Sequence, residues 1–473
     1  MTVPKNSPKA LPHQEVGTKF LRGREAAGLF DEQGLGKSKQ LIDAIAQDIT
    51  AGVLDGALIV CPNILKNTWA EEIEKFSGLR YAVFGAGRKA RRDAFRSLRA
   101  AFYVINYEAV AAEVVSLRAL LRFKRIALVL DESHRIKSPE AKVTNAVLSL
   151  RKEAAKRYIM SGTPVANTPE DIWSQIFFLD GGELLGDTFE KFTARYIAPG
   201  GGYRRVEELR AHLDAIGIRR EKESTVSLPK KLVSRVPVRL APRQREMYDK
   251  LREELHLWVK GLSGQDVLAQ AENILTRLIR LAQIASNPGL IDAGYAETPA
   301  KFVLLDELLD AYLPRAQKVI VWTSFVPNIE TLLSRYAKLQ PVALHGEMTN
   351  QARNAAVKAF KANPAVKLLI ANPAAAREGL TLTESSCAIY LDRTFNLVDF
   401  LQSQDRIHRL SQTRECDIVI LLAERTVDEF IDFALAQKHR LARYTQNDTD
   451  EIEAEDLALE KPDILRALIQ PDA

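Results

Sequence analysis

The chain has 473 residues, 46% hydrophobic and 27% charged, which excludes a fibrous or disordered protein and predicts two or three compact domains. Its formal net charge of +5 identifies no partner by itself. No stretch reaches the ~18 uninterrupted apolar residues of a membrane span, and no signal peptide is recognisable, so we expect a soluble intracellular protein, cytoplasmic or in a nucleoid or nucleus. Three widely spaced cysteines predict neither a disulfide framework nor a zinc site.

In the first half of the chain, apolar runs typical of buried strands alternate with polar, helix-compatible sequence. The runs are Ala26–Phe30, Ala57–Cys61, Phe102–Asn106, Ile126–Leu130 and Arg157–Ser161. The same alternation returns in the second half. Its runs are Lys318–Thr323, Val342–His345, Lys367–Ala371, Ala388–Asp392 and Asp417–Leu422. Because strands that alternate with helices build parallel sheets, the sequence predicts an α/β protein with two lobes.

The segment between the two sets of strand runs differs from both. Gly217–Val236 is charged and contains proline, which indicates a linker near residues 222–232. Pro242–Leu290 has long helical periodicity without a strand run. We therefore expect a helical insertion at the start of the second lobe.

A glycine-containing turn, Asp31–Ser38, joins the first strand run to the helix-compatible segment Gln40–Ile49. Gly34 and Gly36 allow backbone N–H groups to approach an anion, Lys37 supplies a positive charge for the β and γ phosphates, and the Ser38 hydroxyl is a magnesium ligand. The strict phosphate-loop pattern has glycine where this chain has Asp31. A chance Gly-Lys turn is the alternative.

Two adjacent carboxylates, Asp131 and Glu132, follow the strand run Ile126–Leu130. Ligands of open α/β sheets bind at the carboxyl ends of strands. Asp131 is suited to holding Mg²⁺, and Glu132 to orienting and deprotonating an attacking water. Together with Lys37, the pair predicts an ATP-hydrolysing site.

These motifs, taken in order, resemble those of superfamily-two helicase-like ATPases, and in detail the Swi/Snf (sucrose non-fermenting) branch of double-stranded DNA translocases. That branch replaces the first loop glycine by Asp, as Asp31 does here. The resemblance implies two RecA-like lobes with parallel β-sheets, and ATP and Mg²⁺ as cofactors. The implied parts are an ATP-binding lobe at 1–222, a linker and helical insertion at 223–300, a helicase C-terminal lobe at 301–447 and an acidic tail at 448–473.

Other segments of the first half are similar to family motifs. Leu11–Leu21 resembles the adenine-reading entry motif, with Gln14 as the reader, and an ordinary amphipathic helix is the alternative. Leu58–Phe76 resembles an element that lines the DNA groove, with Trp69 as its contact. Ser161–Pro164 with Asn167 resembles the segment that couples nucleotide state to DNA, which implies DNA contacts for Thr163 and Asn167. Arg219, Arg220 and Lys222 resemble the inter-lobe signature.

In the second half, Gln402–Gln412 is similar to the family motif that carries arginine fingers. Arg406 and Arg409 are three residues apart, so on a helix they share a face and can reach the γ-phosphate from the opposite lobe. Basic residues on a solvated helix are the alternative. Glu378–Thr383 resembles a segment that touches nucleotide and DNA backbone, which implies those roles for Gly379 and Thr381, although Ala376 and Arg377 replace two glycines of the family.

Cations cluster between residues 88 and 99, and they include Arg88, Arg91 and Arg92. We expect them to contact phosphates of double-stranded DNA with little sequence preference, and a solvated helix is the alternative. Residues 448–473 contain nine acidic and two basic residues, so this tail has a net charge of −7 and the body has +12. The tail is expected to shield or regulate the DNA-binding body.

The predicted function is an ATP-dependent motor that moves along double-stranded DNA without crossing or binding a membrane. A strand-separating or annealing helicase is one alternative. A nucleic-acid-binding scaffold that does not hydrolyse ATP is another. Because the predicted parts leave little room for a further module, a partner protein, the helical insertion or DNA structure is expected to select the target.

Overall fold

The computed structural model describes residues 8–85, 87, 95, 99–165, 167–198, 202–260, 270–376 and 380–452. These residues form two compact units. Lobe 1 takes its described residues from 8–198, 203–227 and 440–452, and lobe 2 consists of residue 202 and those within 228–439. Within the described residues, no helix has both the length and the apolar character needed to cross a membrane.

Lobe 1 is built on a seven-stranded sheet in the order β3-β4-β2-β5-β6-β1-β7, with every neighbouring pair parallel. Every residue of β2 and β5 is buried, because helices cover both faces of a parallel sheet. The strands are β1 Ala26–Leu29, β2 Gly56–Cys61, β3 Tyr81–Val83, β4 Phe102–Asn106, β5 Ile126–Asp131, β6 Lys156–Met160 and β7 Gly217–Ile218.

The helices of lobe 1 follow the strands in the order that a parallel sheet requires. They are α1 Pro12–Arg22, α2 Lys37–Thr50, α3 Lys66–Ser77, α4 Tyr107–Phe123, α5 Lys142–Leu148, α6 Trp173–Asp180, α7 Phe189–Tyr196, α8 Val206–Ile216 and α9 Lys222–Thr225. Leu41, Ile45 and Ile73 on α2 and α3 are buried in the same core as the side chains of β1, β2 and β5. This packing fixes α2 and α3 beside the carboxyl ends of the strands.

Lobe 2 is built on a six-stranded sheet in the order β10-β11-β9-β12-β13-β8, and all its pairs are also parallel. Its strands are β8 Lys231–Val238, β9 Val319–Trp322, β10 Val342–Leu344, β11 Leu368–Ala371, β12 Cys387–Tyr390 and β13 Cys416–Ala423. Its helices are α10 Pro242–Lys260, α11 Ala271–Ser286, α12 Ala300–Ala316, α13 Val326–Arg335, α14 Asn350–Ala362, α15 Leu397–Gln404 and α16 Val427–Thr445. The last turns of α16 belong to lobe 1.

These findings confirm the predicted fold class, two α/β lobes with parallel sheets and a helical insertion, α10 and α11, early in the second lobe. Three strands were not expected, namely β3, β7 and β8. Strand β8 begins at Lys231, where the segment interpreted as a linker ends, and it pairs with β13 at the edge of the sheet. Most of its side chains are exposed and it contains Pro237, so it lacks the buried apolar run that marks the other strands.

Candidate active site

A phosphate-loop turn connects β1 to α2 in lobe 1. Gly34 and Gly36 have φ angles of 93° and 74°, in the left-handed region that glycine adopts without strain. A Cβ at Gly36 would lie 2.3 Å from the side-chain nitrogen of Gln14. Helix α2 begins at Lys37, so its unpaired N–H groups and positive dipole end face the turn. The local backbone is therefore that of an anion-binding loop.

Lys37 lies at the centre of this turn. Its Nζ donates hydrogen bonds to the backbone carbonyls of Asp31 at 2.7 Å and Glu32 at 3.2 Å. Burial lowers the pKa of Lys37, while the carboxylates of Glu132, Asp31 and Asp131 oppose that shift. The loop therefore presents a partly desolvated cation, which attracts a phosphate more strongly than an exposed lysine does.

Strand β5 ends at Asp131, which places the two predicted carboxylates next to the loop. The Trp69 indole N–H donates to Asp131 Oδ2 at 2.8 Å, and the Glu132 backbone N–H donates to Oδ1 at 3.0 Å. Burial, together with the charge of Glu132, raises the pKa of Asp131 to about 7. Glu132 has a φ of 50°, and its Oε1 accepts a hydrogen bond from the Gln33 amide at 3.5 Å. The loop and the strand end thus form one site.

A third carboxylate lies at this site, and sequence reasoning missed it. Burial raises the pKa of Glu72 on α3, and the neighbouring Ser38 hydroxyl opposes that rise. Glu72 and Trp69 are three residues apart on α3, and they reach the two predicted magnesium ligands, Ser38 and Asp131 respectively. The Trp-x-x-Glu spacing on a predicted helix was the signal that could have revealed this pair.

These oxygen donors fit a magnesium ion that is bound together with a nucleotide. Mg²⁺ in such sites takes one or two carboxylates plus phosphate and water oxygens. Among the described residues, no group of three or more His, Cys, Asp or Glu side chains forms a dedicated metal cluster. The predicted ligands, Ser38 and Asp131, suit a site in which the nucleotide phosphates and water supply the other oxygen ligands.

The segment Ser161–Thr163 follows β6 and packs against the phosphate loop. A Cβ at Gly162 would lie 2.9 Å from the Gln33 side chain and 3.5 Å from Lys37 Nζ, so glycine is needed for this approach. Ser161 Oγ lies 3.4 Å from Nδ1 of His134, whose ring also approaches Glu132 at 3.4 Å. A displacement of the Glu132 side chain can therefore reach this segment through the His134 ring.

The two predicted DNA contacts after β6 are Thr163 and Asn167, and both lie within the described residues. Thr163 Oγ1 is buried and has no hydrogen-bond partner within the described part of the chain. The Asn167 backbone N–H donates to Asp171 at 2.8 Å. Their contact with DNA stays a prediction.

Asp31, which replaces the usual loop glycine, is fully buried beneath the phosphate loop and holds it through side-chain hydrogen bonds. Arg220 donates to both of its carboxylate oxygens, at 2.8 and 2.6 Å, and Gln40 donates to Oδ2 at 3.0 Å. Arg220 also bonds the His13 carbonyl, next to Gln14. This bidentate pair joins the loop, α2 and the entry helix into one unit.

Gln14 lies on α1 against the phosphate loop. Its side-chain nitrogen donates to the Leu35 carbonyl at 3.3 Å, and its oxygen accepts from the Leu11 backbone N–H at 3.0 Å. The structure thus places the predicted adenine reader at the edge of the site. Its contact with adenine stays a prediction.

Trp69 does not lie where its predicted role requires. Its side chain is 2% exposed and packs in the core of lobe 1, with its indole N–H directed at Asp131. A side chain that is buried in this way presents no surface to DNA. The indole instead orients a predicted magnesium ligand, and the assignment to DNA contact was wrong because the motif alone does not say which face of α3 is buried.

Lobe 2 contains the predicted arginines, but not on a helix. Helix α15 ends at Gln404, and Arg406 and Arg409 lie in the irregular turns that follow it. Arg406 is 1% exposed and donates to the carbonyls of Gln402 at 2.9 Å and Leu380 at 3.2 Å. The expectation of a shared helix face was therefore wrong.

Arg409 is half-buried in the same turns and differs from Arg406 in its partners. It donates to the Asp405 carbonyl and to Thr381 Oγ1, both at 2.9 Å. The structure thus brings Arg409 and the predicted DNA contact Thr381 together. Four other predicted site residues, Arg88, Arg91, Arg92 and Gly379, lie outside the described residues.

Comparison with known proteins identifies the family. The model of the SNF2-related domain matches residues 13–290, more than half of the chain, and that of the helicase conserved C-terminal domain matches residues 300–411. The chain belongs to the SNF2-related family. This finding confirms the family predicted from the motifs, and the two matched regions include parts of both lobes.

Relatives of this SNF2-related chain include eukaryotic and bacterial proteins. It is 27% identical to the "Chromodomain-helicase-DNA-binding protein 1-like" of Danio rerio, covering 91% of this chain and 43% of that protein. It is 26% identical to the "Putative ATP-dependent helicase/translocase YwqA" of Bacillus subtilis, covering 91% and 48%. The SNF2-related chain thus spans less than half the length of these relatives.

Among solved structures, this SNF2-related chain is similar to the "Sulfolobus solfataricus SWI2/SNF2 ATPase core in complex with dsDNA". The two are 26% identical, with a TM-score of 0.45, and the match covers 97% of this chain and 98% of that one.

Proposed function

We propose that this protein is an ATP-driven motor that moves along double-stranded DNA. The observation that carries the proposal is the arrangement in lobe 1, where a half-buried lysine in a glycine loop adjoins two carboxylates at a strand end and the Ser161–Thr163 segment. This combination is suited to bind and hydrolyse a nucleoside triphosphate and to pass the nucleotide state to a neighbouring loop. Membership of the SNF2-related family supports the coupling of hydrolysis to DNA.

Each residue of the site has a proposed role in hydrolysis. Lys37 binds the β and γ phosphates, and the N–H groups of the loop at Gly34 and Gly36 cradle them. Ser38 and Asp131 would hold Mg²⁺, which neutralises phosphate charge when it is bound with ATP. Glu132 orients the attacking water and accepts its proton, with Gln33 steadying the carboxylate.

The proposed arginine finger is Arg409. A charge that stabilises the transferring phosphate needs a guanidinium with donors available at the protein surface. Arg409 is half-buried, whereas the Arg406 side chain is enclosed by its own lobe and bonded to two backbone carbonyls. We propose that Arg406 holds the backbone at Leu380 in place. Arg409 is proposed to stabilise the negative charge of the transferring phosphate.

The proposed DNA contacts are directed at the backbone rather than the bases. Lysine and arginine contacts with phosphates are independent of sequence and weaken as salt rises. The proposed contacts are Arg88, Arg91, Arg92, Thr163, Asn167 and Thr381. We further propose that a partner protein directs the motor to its target, because contacts with the phosphate backbone carry no sequence information directly.

The test measures ATP turnover without nucleic acid and with single-stranded DNA, duplex DNA and duplex RNA. The proposal predicts the strongest stimulation by duplex DNA, together with ATP-dependent displacement of the third strand from a triplex. Separation of a forked duplex with stimulation by single strands would favour a helicase instead. Absence of turnover under all four conditions would favour a scaffold.

A pair of variants links turnover to the site. We expect Glu132→Gln to abolish hydrolysis while DNA binding persists, because only the proton acceptor is lost. Glu140→Gln is the matched control, since Glu140 is an exposed carboxylate eight residues further along the chain. Full hydrolysis by Glu132→Gln would contradict the assigned role.

A further inference from the structure

The end of the described chain belongs to lobe 1, although it follows the last strand of lobe 2. Helix α16 ends at Thr445, and Asn447 then adopts a left-handed conformation with a φ of 64°. This turn lets the Asp448 backbone N–H donate to the Arg443 carbonyl at 2.9 Å. The Asp448 side chain is thereby directed into lobe 1.

Asp448 forms a bidentate ion pair with Arg219, which follows strand β7. Arg219 Nε donates to Oδ1 and Nη2 donates to Oδ2, both at 2.6 Å. The two side chains are only 12% and 4% exposed. Such parallel, charge-assisted bonds fix the plane of a guanidinium group, and loss of one partner leaves the other charge largely buried without compensation.

The remaining nitrogen of Arg219 reaches the ATP site. Its Nη1 donates to the Phe30 carbonyl at 2.8 Å and to the Gly162 carbonyl at 3.2 Å. Phe30 directly precedes the phosphate loop, and Gly162 packs against Gln33 and Lys37 of that loop. One guanidinium therefore joins both walls of the phosphate site, and Asp448 determines its orientation.

We propose that Asp448 is a positioning residue for ATP binding, so that the affinity for ATP depends on whether the chain after lobe 2 is docked on lobe 1. The inference rests on the proposed function of the site. It replaces the general expectation that the acidic tail shields the DNA-binding body with a specific role for one of its carboxylates. Asp448 acts through Arg219 on the backbone that surrounds the phosphates.

A neighbouring ion pair supplies a matched control. Arg210 also bonds this segment, with Nη2 2.6 Å from Asp450 Oδ1 and a second contact to Asn447. The Asp450 side chain is 90% exposed, and its ion pair with Arg210 leads, within the described residues, to no contact with the phosphate loop. Asp450→Asn removes the same charge from the same segment two residues away.

The test compares Asp448→Asn with Asp450→Asn in the full chain, using fluorescent methylanthraniloyl-ATP at a temperature where circular dichroism shows both variants folded. We expect Asp448→Asn to weaken nucleotide binding about tenfold, the cost of disturbing one hydrogen bond to a charged group. We expect Asp450→Asn to stay within about twofold of the wild type, as for an exposed ion pair. Asp448→Glu, which keeps the carboxylate, should recover most of the affinity.

A lower unfolding temperature with wild-type nucleotide affinity in Asp448→Asn would overturn the proposal, because the pair would then only stabilise the fold. If that variant does not fold, Arg219→Lys serves instead, since lysine keeps the charge but cannot make all four bonds, and unchanged affinity there would have the same meaning. The dissociation constant is measured without turnover. A wild type that binds ATP but never hydrolyses it would therefore overturn the proposed function and leave this test intact.

Discussion

Each lobe has an aspartate at or just beyond the end of a central parallel strand, and the two are surrounded differently. Asp392 follows β12 in lobe 2 and is 3% exposed. It accepts hydrogen bonds from the Ser286 and Thr323 hydroxyls at 2.7 and 2.8 Å and from the Ser324 backbone N–H at 2.6 Å. Asp131 at the end of β5 accepts two bonds, and it adjoins another carboxylate, Glu132.

This difference indicates which carboxylate is structural and which is suited to a ligand. The donors to Asp392 come from the end of α11 in the helical insertion and from the loop directly after β9, so its charge holds both segments to the end of β12. Around Asp131, burial and Glu132 both disfavour the charged form. A carboxylate that the protein leaves undercompensated gains most from binding a cation. The position of a carboxylate at a strand end therefore does not by itself show whether it binds a ligand. The number of hydrogen-bond donors around the carboxylate distinguishes the two cases.

The largest effect is expected for Asp131→Asn, which should reduce ATP hydrolysis to background because a magnesium ligand is lost. In the absence of nucleotide and Mg²⁺, the free energy of unfolding should fall by less than in Asp392→Asn, because the asparagine amide opposes only one of two donors and the variant removes a buried charge that Glu132 disfavours. Urea denaturation and steady-state turnover measure the two effects. A large loss of stability would show that Asp131 is structural, as Asp392 is.

Asp392→Asn is the control for this comparison. An amide presents N–H groups where an oxygen accepted hydrogen bonds, so buried donors would face a donor and the free energy of unfolding should fall by about 2–3 kcal/mol. Urea denaturation measures it. Turnover per folded molecule should change far less than in Asp131→Asn. If Asp392→Asn were as stable as the wild type, the distinction between the two carboxylates would fail.

A smaller effect is expected for Arg409→Ala, about 1,000-fold in turnover, with the free energy of unfolding nearly unchanged. Arg406→Ala should instead destabilise lobe 2 by about 2–3 kcal/mol, because it removes a buried side chain that bonds two carbonyls. Turnover at saturating ATP and denaturation curves separate the pair. If Arg406→Ala lost turnover at full stability, Arg406 and not Arg409 would be the phosphate contact.

The smallest effect is expected for Trp69→Phe, which keeps the aromatic packing but removes the N–H that bonds Asp131. Residues that orient a metal ligand typically contribute about tenfold or more, so we expect about a tenfold rise in the Mg²⁺ concentration that gives half-maximal turnover. The affinity for duplex DNA, measured by fluorescence anisotropy, should not change. Weaker DNA binding with an unchanged requirement for Mg²⁺ would restore the original assignment of Trp69 to DNA.

Much of lobe 1 could be predicted because its signals are local. The buried runs of β2 and β5 and the glycine turn before Lys37 are each a short continuous segment of the chain. A parallel sheet then brings the carboxyl ends of its strands to one edge. Three features were not predictable in this way. Strand β8 is an exposed edge strand, α15 ends before Arg406, and the buried face of α3 depends on its packing in the core.

The sequence by itself determined the α/β class, the two lobes, the family and the identity of the loop and carboxylate residues, because short-range patterns and motif order carry that information. Only the tertiary structure decided what those residues contact. Asp31 pairs with Arg220 and Arg219 pairs with Asp448, 189 and 229 residues apart respectively. Such bonds depend on which surfaces meet when the sheet is assembled, and no local pattern encodes that.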